Sequence, residues 1–281
     1  MISKILQLNS LFIVLLLVTK NMYAQDIRFY YDYTYVSDTI KKEGTTHEEM
    51  ILEVNPSNNQ SIFVALKKIK SDSTMSVNQS KGVFSFPDRG VKTDYIIEKR
   101  GGSNVQFLYT TSYSNIPVYQ VEENRTINWK ILNDKKKIMT YSVQKAVAKF
   151  AGREWTAWFT TEVPISEGPY KFNGLPGLIV QLYDSTLTHN FELKSIQKNN
   201  SKNYKILKDK AYNSYKKITL KDYINMDREF KKDPMKVLRD KIFRGDVFFE
   251  NENEKNEYMR EQEKLMKEAV SKNNNPIELN Y

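Results

Sequence analysis

The segment that most restricts the fold is residues 164–177, with the sequence PISEGPYKFNGLPG. It holds three of the chain's ten glycines and three of its eight prolines. Proline fixes φ, glycine permits positive φ, and a residue before proline is driven toward an extended conformation. We therefore expect a rigid loop that joins two strands and leads into an apolar strand at Leu178. The residues expected to shape this loop are Gly168, Pro169, Gly174, Leu175, Pro176 and Gly177.

The chain on both sides of this loop alternates between apolar and polar residues, which is typical of half-buried antiparallel strands. Residues 138–163 predict a long hairpin that turns at 151–152, and residues 178–197 predict a second one. In the first hairpin the alternation places Trp155 on one face and Trp158 on the other. Further strands are predicted at 27–36, 49–54, 61–66, 93–99, 104–110, 116–121 and 126–132. Turns are predicted at 55–59, 87–90, 99–102 and 134–137.

The last third of the chain has a helical pattern. Thr219 precedes one amphipathic stretch, and Asp233 with Pro234 opens a second, because proline suits the first turn of a helix. Residues 250–272 are rich in Glu and Lys with a weak apolar stripe, which predicts a solvated helix followed by an extended tail. The predicted fold is mainly β (α+β): a strongly curved antiparallel sheet or half-barrel, with C-terminal helices covering part of one face.

The amino terminus has the pattern of a secretory signal peptide over residues 1–24. Lys4 supplies a positive charge, residues 11–18 are an unbroken apolar run, and Ala24 is the small residue that signal peptidase needs before the cut. The run is too short for a membrane anchor. We expect an exported protein that begins near Gln25, is periplasmic or alternatively extracellular, and has no transmembrane span in the mature chain.

Composition excludes several classes of site. The chain has no cysteine, so thiol nucleophiles, iron–sulfur clusters, thiolate zinc sites and lipidation are excluded. Its two histidines, His47 and His189, are too few for a His-rich metal site, and we expect no metal and no cofactor. The net charge of +9 is spread along the chain without a basic stripe or a recognisable module, which argues against nucleic-acid binding.

The string GLPGLI at residues 174–179 resembles the GLPGLI family of Bacteroidetes envelope proteins. Other positions that fit this family's pattern are Gln144, Lys145, Ala146, Arg153, Ala157, Trp158, Phe159, Thr160, Ile165, Gly168, Pro169, Asp184 and the closing Asn275-Pro276-Ile277-Glu278. Val143 departs from it, since members often carry cysteine there. The resemblance implies one domain over residues 25–281, β-rich over 25–200 and mostly helical with an extended tail over 201–281. It implies an envelope location but no activity.

One candidate binding site consists of Arg153, Trp155, Trp158 and Asp184. Indole rings and a guanidinium group can stack on sugars, peptides or aromatic ligands. The alternative, which we favour, is that the aromatic side chains fill the core while Arg153 pairs with an acid. Both interpretations keep these four residues close to the loop.

A second candidate is a hydrolase site built on Glu162, Glu167 and Asp184, since paired carboxylates perform acid–base chemistry in glycosidases. Acids at strand ends more often form turns or ion pairs, and we favour that alternative. His47 and His189 are both expected in turns, and the sequence around Ser166 lacks the G-x-S-x-G pattern of a serine hydrolase.

Three functions therefore remain open. The first and favoured one is a non-enzymatic binding, carrier or accessory protein of the cell envelope. It would use the concave, aromatic-lined sheet face for an unknown apolar, peptide or envelope-protein partner. The second is an envelope hydrolase, and the third is a structural or assembly component recognised through an exposed strand edge.

Overall fold

A computed structural model of the protein describes residues 26–40, 44–88, 90–93, 95–100, 106–111, 118–199, 215–272 and 274–279. The predicted signal peptide, residues 1–24, lies outside the described residues, as do the segment 201–214 and residues 101–102 of the turn predicted at 99–102, whose first two residues belong to a strand. The described residues form twelve strands and four helices.

The strands lie mainly in the first 200 residues and the helices mainly after them. The strands are β1 (Asp26–Val36), β2 (Thr45–Asn55), β3 (Gln60–Ala65), β4 (Tyr95–Arg100), β5 (Gln106–Thr111), β6 (Val118–Glu123), β7 (Lys130–Ile138), β8 (Tyr141–Phe150), β9 (Arg153–Thr160), β10 (Leu178–Asp184), β11 (His189–Asn199) and β12 (Lys216–Thr219). The helices are α1 (Leu66–Ser80), α2 (Leu220–Lys232), α3 (Lys236–Phe243) and α4 (Glu252–Lys272).

All twelve strands belong to one open sheet with the order β12-β6-β5-β4-β3-β2-β1-β11-β10-β9-β8-β7. Neighbouring strands are antiparallel, except that β12 runs parallel to β6. The sheet does not close on itself, because β12 and β7 remain its two edges. The predicted fold class, a mainly β protein with an antiparallel sheet and C-terminal helices, is confirmed.

The centre of the sheet shows why the alternation predicts strands. In β1, Phe29, Tyr31 and Tyr33 are buried on one face. Tyr31 lies opposite Met50 of β2 and Leu193 of β11, so aromatic and aliphatic side chains meet on that face. This face, called the inner face below, carries the main hydrophobic core. Burying such side chains contributes about 1.5–3 kcal/mol each, which is the main force that holds the strands together.

The loop between β9 and β10, residues 161–177 (the motif loop), lies over this inner face. Tyr170, Phe172 and Leu175 are buried members of the same core. The ring of Phe172 lies 4.7 Å from that of Trp155 and 5.6 Å from that of Phe150, measured between centroids. The loop therefore fills the inner face in the region of β8 and β9 instead of leaving it open as a cavity.

Three details of the prediction are wrong. Residues 66–80 form α1, for which the sequence pattern predicted no element, and its only buried residue is Ser71. The turn predicted at 134–137 lies at 139–140, because β7 extends to Ile138 as an exposed, lysine-rich edge strand. His47 lies within β2, not in a turn, and His189 is the first residue of β11.

The three C-terminal helices, residues 220–272, are called the helical arm. Thr219 and Asp222 form a reciprocal capping box that starts α2. Leu220, Tyr223 and Met226 pack partly against the core, but no residue of α2, α3 or α4 is fully buried. The helical arm is thus a largely solvated extension of the sheet.

The chain returns to the sheet after α4. Residues 274–279, called the tail, have the sequence NNPIEL. The N–H of Asn275 donates to the carbonyl of Ser37 at 3.1 Å, and the N–H of Leu279 donates to that of Ala151 at 2.9 Å. The extended tail is therefore docked at both of its ends by backbone hydrogen bonds.

Candidate functional site

Arg153 is the centre of the contacts that hold the tail. It follows the tight turn formed by Ala151 and Gly152, which both have positive φ. Its guanidinium donates to Asp184 at 2.9 Å, to the Asn275 side chain at 2.6 Å, and to the carbonyls of residues 276 and 277 at 2.6 and 3.1 Å. The planar fork of arginine can serve several acceptors at once, which a lysine cannot do in this geometry. Arg153 therefore ties the β8–β9 turn, the end of β10 and the tail together.

Asp184 is the acidic partner of Arg153 in this network. Its carboxylate accepts the backbone N–H groups of Thr188 and His189, both at 2.8 Å, and the hydroxyls of Thr186 and Thr188. Burial raises the pKa of Asp184, but these hydrogen bonds together with the charge of Arg153 outweigh it and hold the pKa below its ordinary value. Asp184 is thus an ionised turn former that positions Arg153.

His189 packs beside this ion pair among aromatic rings. Its Nδ1 is 2.8 Å from the hydroxyl of Tyr33, and its ring stacks near those of Tyr33 and Tyr35. Burial, aided by the nearby positive charge of Arg153, lowers the pKa of His189 to about 4. The imidazole is therefore neutral at pH 7 and is enclosed by the core.

Glu278 of the tail forms a second buried contact. One carboxylate oxygen accepts the hydroxyl of Tyr170 and lies 2.6 Å from the ammonium of Lys171, and the other accepts from Arg125 at 2.7 Å. Burial raises the pKa of Glu278, but the charges of Lys171 and Arg125 and the hydrogen bonds lower it overall. The carboxylate is thus held in its charged form inside the protein.

Glu123 of β6 completes this network. It pairs with Arg125 and lies 3.1 Å from the ammonium of Lys171. Burial raises its pKa, but Arg125 and Lys171 outweigh burial and lower the pKa to about 2. Two acids and two bases therefore neutralise one another, which buried charges require. We call Arg125, Arg153, Tyr170 and Lys171 the clasp, since these four side chains hold the tail.

Glu167 fastens the motif loop to the other half of the sheet. It accepts from Lys99 at 2.6 Å and from Ser61 at 3.0 Å, which belong to β4 and β3. Glu162, in contrast, is exposed and accepts the backbone N–H of Ser142 at 2.8 Å. The three carboxylates considered for a hydrolase thus have separate partners, since Asp184 pairs with Arg153.

The two tryptophans of the candidate binding site lie on opposite faces of β9, as the alternation predicts. Trp155 is buried on the inner face, and its indole N–H donates to the carbonyl of Phe150 at 3.2 Å. Trp158 lies on the other face, where the ammonium of Lys136 sits 4.2 Å from its ring centroid. The structure therefore brings Arg153, Trp155 and Asp184 together on one side of β9, whereas Trp158, which is also buried, projects from the opposite side.

The three glycines of the motif loop are required for different physical reasons. A Cβ at Gly177 would lie 2.0 Å from the carbonyl oxygen of Thr160, and φ there is +152°. A Cβ at Gly168 would lie 2.6 Å from the side chain of Ile179. Gly174 has φ +90° but open space around it. Gly177 and Gly168 permit close packing, whereas Gly174 only permits a turn.

Sequence reasoning missed four of the residues that matter here: Glu123, Arg125, Tyr170 and Lys171. The available signal was Lys171 itself, a charge between two aromatic residues within a glycine- and proline-rich loop.

Within the described ranges, no group of three His, Asp or Glu side chains is placed to hold a metal ion. Nor is any described helix both long and apolar enough to cross a membrane.

Comparison with known families matches the part of the chain that contains Arg153 and the motif loop. A family described as "Protein of unknown function (Porph_ging)" matches residues 150–181. Over this short region the chain resembles a Bacteroidetes-type family without an assigned function. No curated protein sequence matches the chain.

Two solved structures are similar in architecture. "Structure of PNGF-II in C2 space group" has 17% sequence identity and a TM-score of 0.49, and the match covers 72% of this chain and 32% of that one. "Structure of PNGF-II in P21 space group" has 18% identity and the same TM-score, with 72% and 33% covered. The chain thus spans about a third of the length of these solved chains.

Proposed function

We propose that the protein is an exported, non-enzymatic accessory protein of the cell envelope that binds a partner protein through its surface. The observation that carries this proposal is the strong exposure of aromatic side chains on the helical arm. Phe243 is 93% exposed and Phe248 is 87% exposed. Exposed apolar side chains that lie close together, here on the two sides of one short turn, can mark interaction sites.

The internal use of the candidate catalytic groups supports a non-enzymatic role. A general acid or base must reach the substrate with its reacting atom. Asp184 and Glu167 are instead engaged by Arg153 and Lys99, and Glu278 by Lys171. These acids are thus engaged within the protein, where they hold the motif loop, the end of β10 and the tail in place.

The filled inner face points to a partner that binds elsewhere. Tyr170 and Phe172 of the motif loop cover the core where a ligand-carrying half-barrel would have its cavity. A carrier that encloses an apolar ligand at this place is therefore disfavoured. Recognition is left to the outer surface and the helical arm.

The surroundings of the exposed aromatics suggest the chemistry of the partner. Phe243 and Phe248 flank the short turn after α3, next to the basic residues Lys241 and Arg244. Aromatic and arginine side chains are enriched at the energetic centres of protein interfaces. A partner with an apolar pocket and an acidic rim would complement this surface.

Export is the second part of the proposal and rests on the pattern of residues 1–24. Amino-terminal sequencing of the protein recovered from the periplasmic fraction should give a chain that begins near Gln25. Recovery of the full-length chain from the cytoplasm would overturn this part alone.

The surface role is tested by placing a photo-crosslinking amino acid at Phe243 in living cells. A matched control carries it at Lys149, which is exposed on the β8–β9 hairpin. We expect a discrete adduct from position 243 that disappears when Phe248 is changed to Ser, and none from position 149. Equal adducts at both positions, or none at either, would overturn the proposal.

A further inference from the structure

The tail is held in the way a recognition site holds a peptide. Each residue from Asn275 to Glu278 gives at least one polar contact to the sheet or the motif loop. The Asn275 side chain accepts from Arg153 and donates to the carbonyl of Val36 at 2.6 Å. The carbonyls of Pro276 and Ile277 accept from Arg153, and the Glu278 carboxylate is bound by three clasp residues.

These contacts are selective for the sequence of the segment. The side-chain amide of Asn275 is recognised by hydrogen bonds to both its oxygen and its nitrogen. Proline at 276 has no N–H that would need an acceptor, and it holds the chain extended in advance, which lowers the entropy lost on binding. The carboxylate of Glu278 is required to balance the charges of Arg125 and Lys171.

The helices that precede the tail in sequence do little to hold it in place. One residue separates it from α4, and neither α3 nor α4 has a buried residue. Releasing the tail therefore breaks the clasp contacts but exposes little else of the helical arm. An identical segment from another molecule would make the same contacts, which is the general basis of segment exchange.

We propose that the clasp is a recognition site for an Asn-Pro-Ile-Glu segment, and that a second copy of this chain supplies this segment in trans. The structure shows the site filled by the chain's own tail. The second copy's tail competes with a tethered one, whose effective concentration is roughly millimolar for short tethers. Exchange therefore occurs where copies are concentrated, and each exchanged pair completes two clasps.

The absence of cysteine from the sequence allows a direct test. One full-length variant carries Ala151→Cys and another carries Leu279→Cys, at positions joined by a backbone hydrogen bond of 2.9 Å. Neighbours of this kind lie within disulfide range. Because each molecule has one thiol, a mixed disulfide between these sites outpaces the homodimers formed by collision only when one copy's tail occupies the other copy's clasp.

With the two variants mixed at roughly 0.5 mM under mild oxidation, we expect the mixed disulfide to form at least tenfold faster than either homodimer. An excess of the free peptide NNPIEL should suppress it. The same peptide with Gln in place of Glu should need at least a tenfold higher concentration, since it lacks the charge that the clasp binds. Mixed and homodimeric disulfides that form at equal rates would overturn the proposal.

A second measurement does not depend on the folding of the variants. A fluorescently labelled NNPIEL peptide is titrated with the unmodified full-length protein, and its anisotropy is followed. Saturable binding that the Gln peptide displaces at least tenfold less well supports the proposal. Absence of binding at millimolar protein, or equal displacement by both peptides, would contradict it.

Discussion

The clasp region and the helical arm both contain a Lys–Glu ion pair, but the pair is buried in the clasp region and exposed in the helical arm. Lys171 and Glu278 form an ion pair in which each side chain is at most 2% exposed. Lys267 and Glu263 of α4 form an equally short ion pair in which the side chains are 66% and 49% exposed. A surface pair is screened by water and contributes little, whereas breaking a buried pair leaves a charge without a partner. The difference predicts that removing one partner of an ion pair costs far more stability where the motif loop meets the tail than in the helical arm.

The largest effect is expected from Gly177→Ala. The new Cβ would overlap the carbonyl oxygen of Thr160, 2.0 Å away, and the backbone cannot move without opening the start of β10. We expect a loss of more than about 4 kcal/mol in the free energy of unfolding, measured by urea denaturation, or no folded protein. Gly174→Ala is the control, because only its positive φ opposes the change, and it should cost about 1–2 kcal/mol. Equal losses for the two variants would contradict the packing argument.

Lys171→Met should come next. The substitution keeps an apolar stem but leaves Glu123 and Glu278 to share the single charge of Arg125. We expect a loss of about 3–5 kcal/mol in urea denaturation. Lys267→Met in α4 removes an exposed partner and should leave the denaturation midpoint unchanged. If both lysine variants behave alike, the contrast between the two regions is wrong.

The clasp region should also make stability depend on pH in two steps. His189 has a folded-state pKa of about 4 against 6.5 for the ordinary side chain, so the unfolded chain binds more protons between these values. Stability is therefore full above pH 6.5 and falls by about 3 kcal/mol as the pH drops to 4. Glu123, with a pKa of about 2 against 4.5, adds a further loss as the pH falls from 4.5 toward 2. His189→Gln should flatten the upper step in urea titrations and leave the lower one.

Glu278→Gln is expected to have a smaller effect than Lys171→Met. The amide keeps the volume and an acceptor for Tyr170, but it loses the charge that balances Arg125 and Lys171. We expect a loss of about 2 kcal/mol in the free energy of unfolding. The control is Glu263→Gln in α4, which should not change it. A silent Glu278→Gln would show that the tail is held by Arg153 and backbone contacts alone.

The smallest effect on stability is expected from Phe243→Ser on the helical arm. The side chain is almost fully exposed, so its removal should leave the thermal midpoint unchanged. If the photo-crosslinking amino acid is placed at position 248 instead of 243, the same variant should lose the crosslinked adduct. Loss of stability instead would mean that Phe243 packs within the protein and does not serve as a contact for a partner.

Local sequence patterns were sufficient for much of the sheet. The alternation in residues 138–163 predicted both strands, the turn and the opposite faces of Trp155 and Trp158, because strand side chains alternate with a period of two. Residues 66–80 were missed because their helix buries little beyond Ser71, so its pattern has no clear apolar stripe. Local signals thus predict elements that bury a face and miss those that do not.

The clasp could be predicted only in part. The pairing of Arg153 with an acid was one of two interpretations, and the structure places Asp184 at 2.9 Å. Arg125 and Glu278 were beyond local reasoning, because 153 residues separate them in sequence. Burial of Lys171 depends on Glu123 of β6 and Glu278 of the tail. No local sequence pattern predicts that these distant residues come into contact.

Hydrogen exchange distinguishes a tail that is held by the clasp from one that moves with the helical arm. The backbone N–H groups of Asn275 and Leu279 donate to the sheet, so they should be protected from exchange, although less than those of β9 and β10, because the tail can leave the clasp while the sheet stays folded. The amides of α4 should exchange at least roughly 100-fold faster, since that helix opens without exposing a core. Tail amides that exchange together with those of α4 would contradict the account.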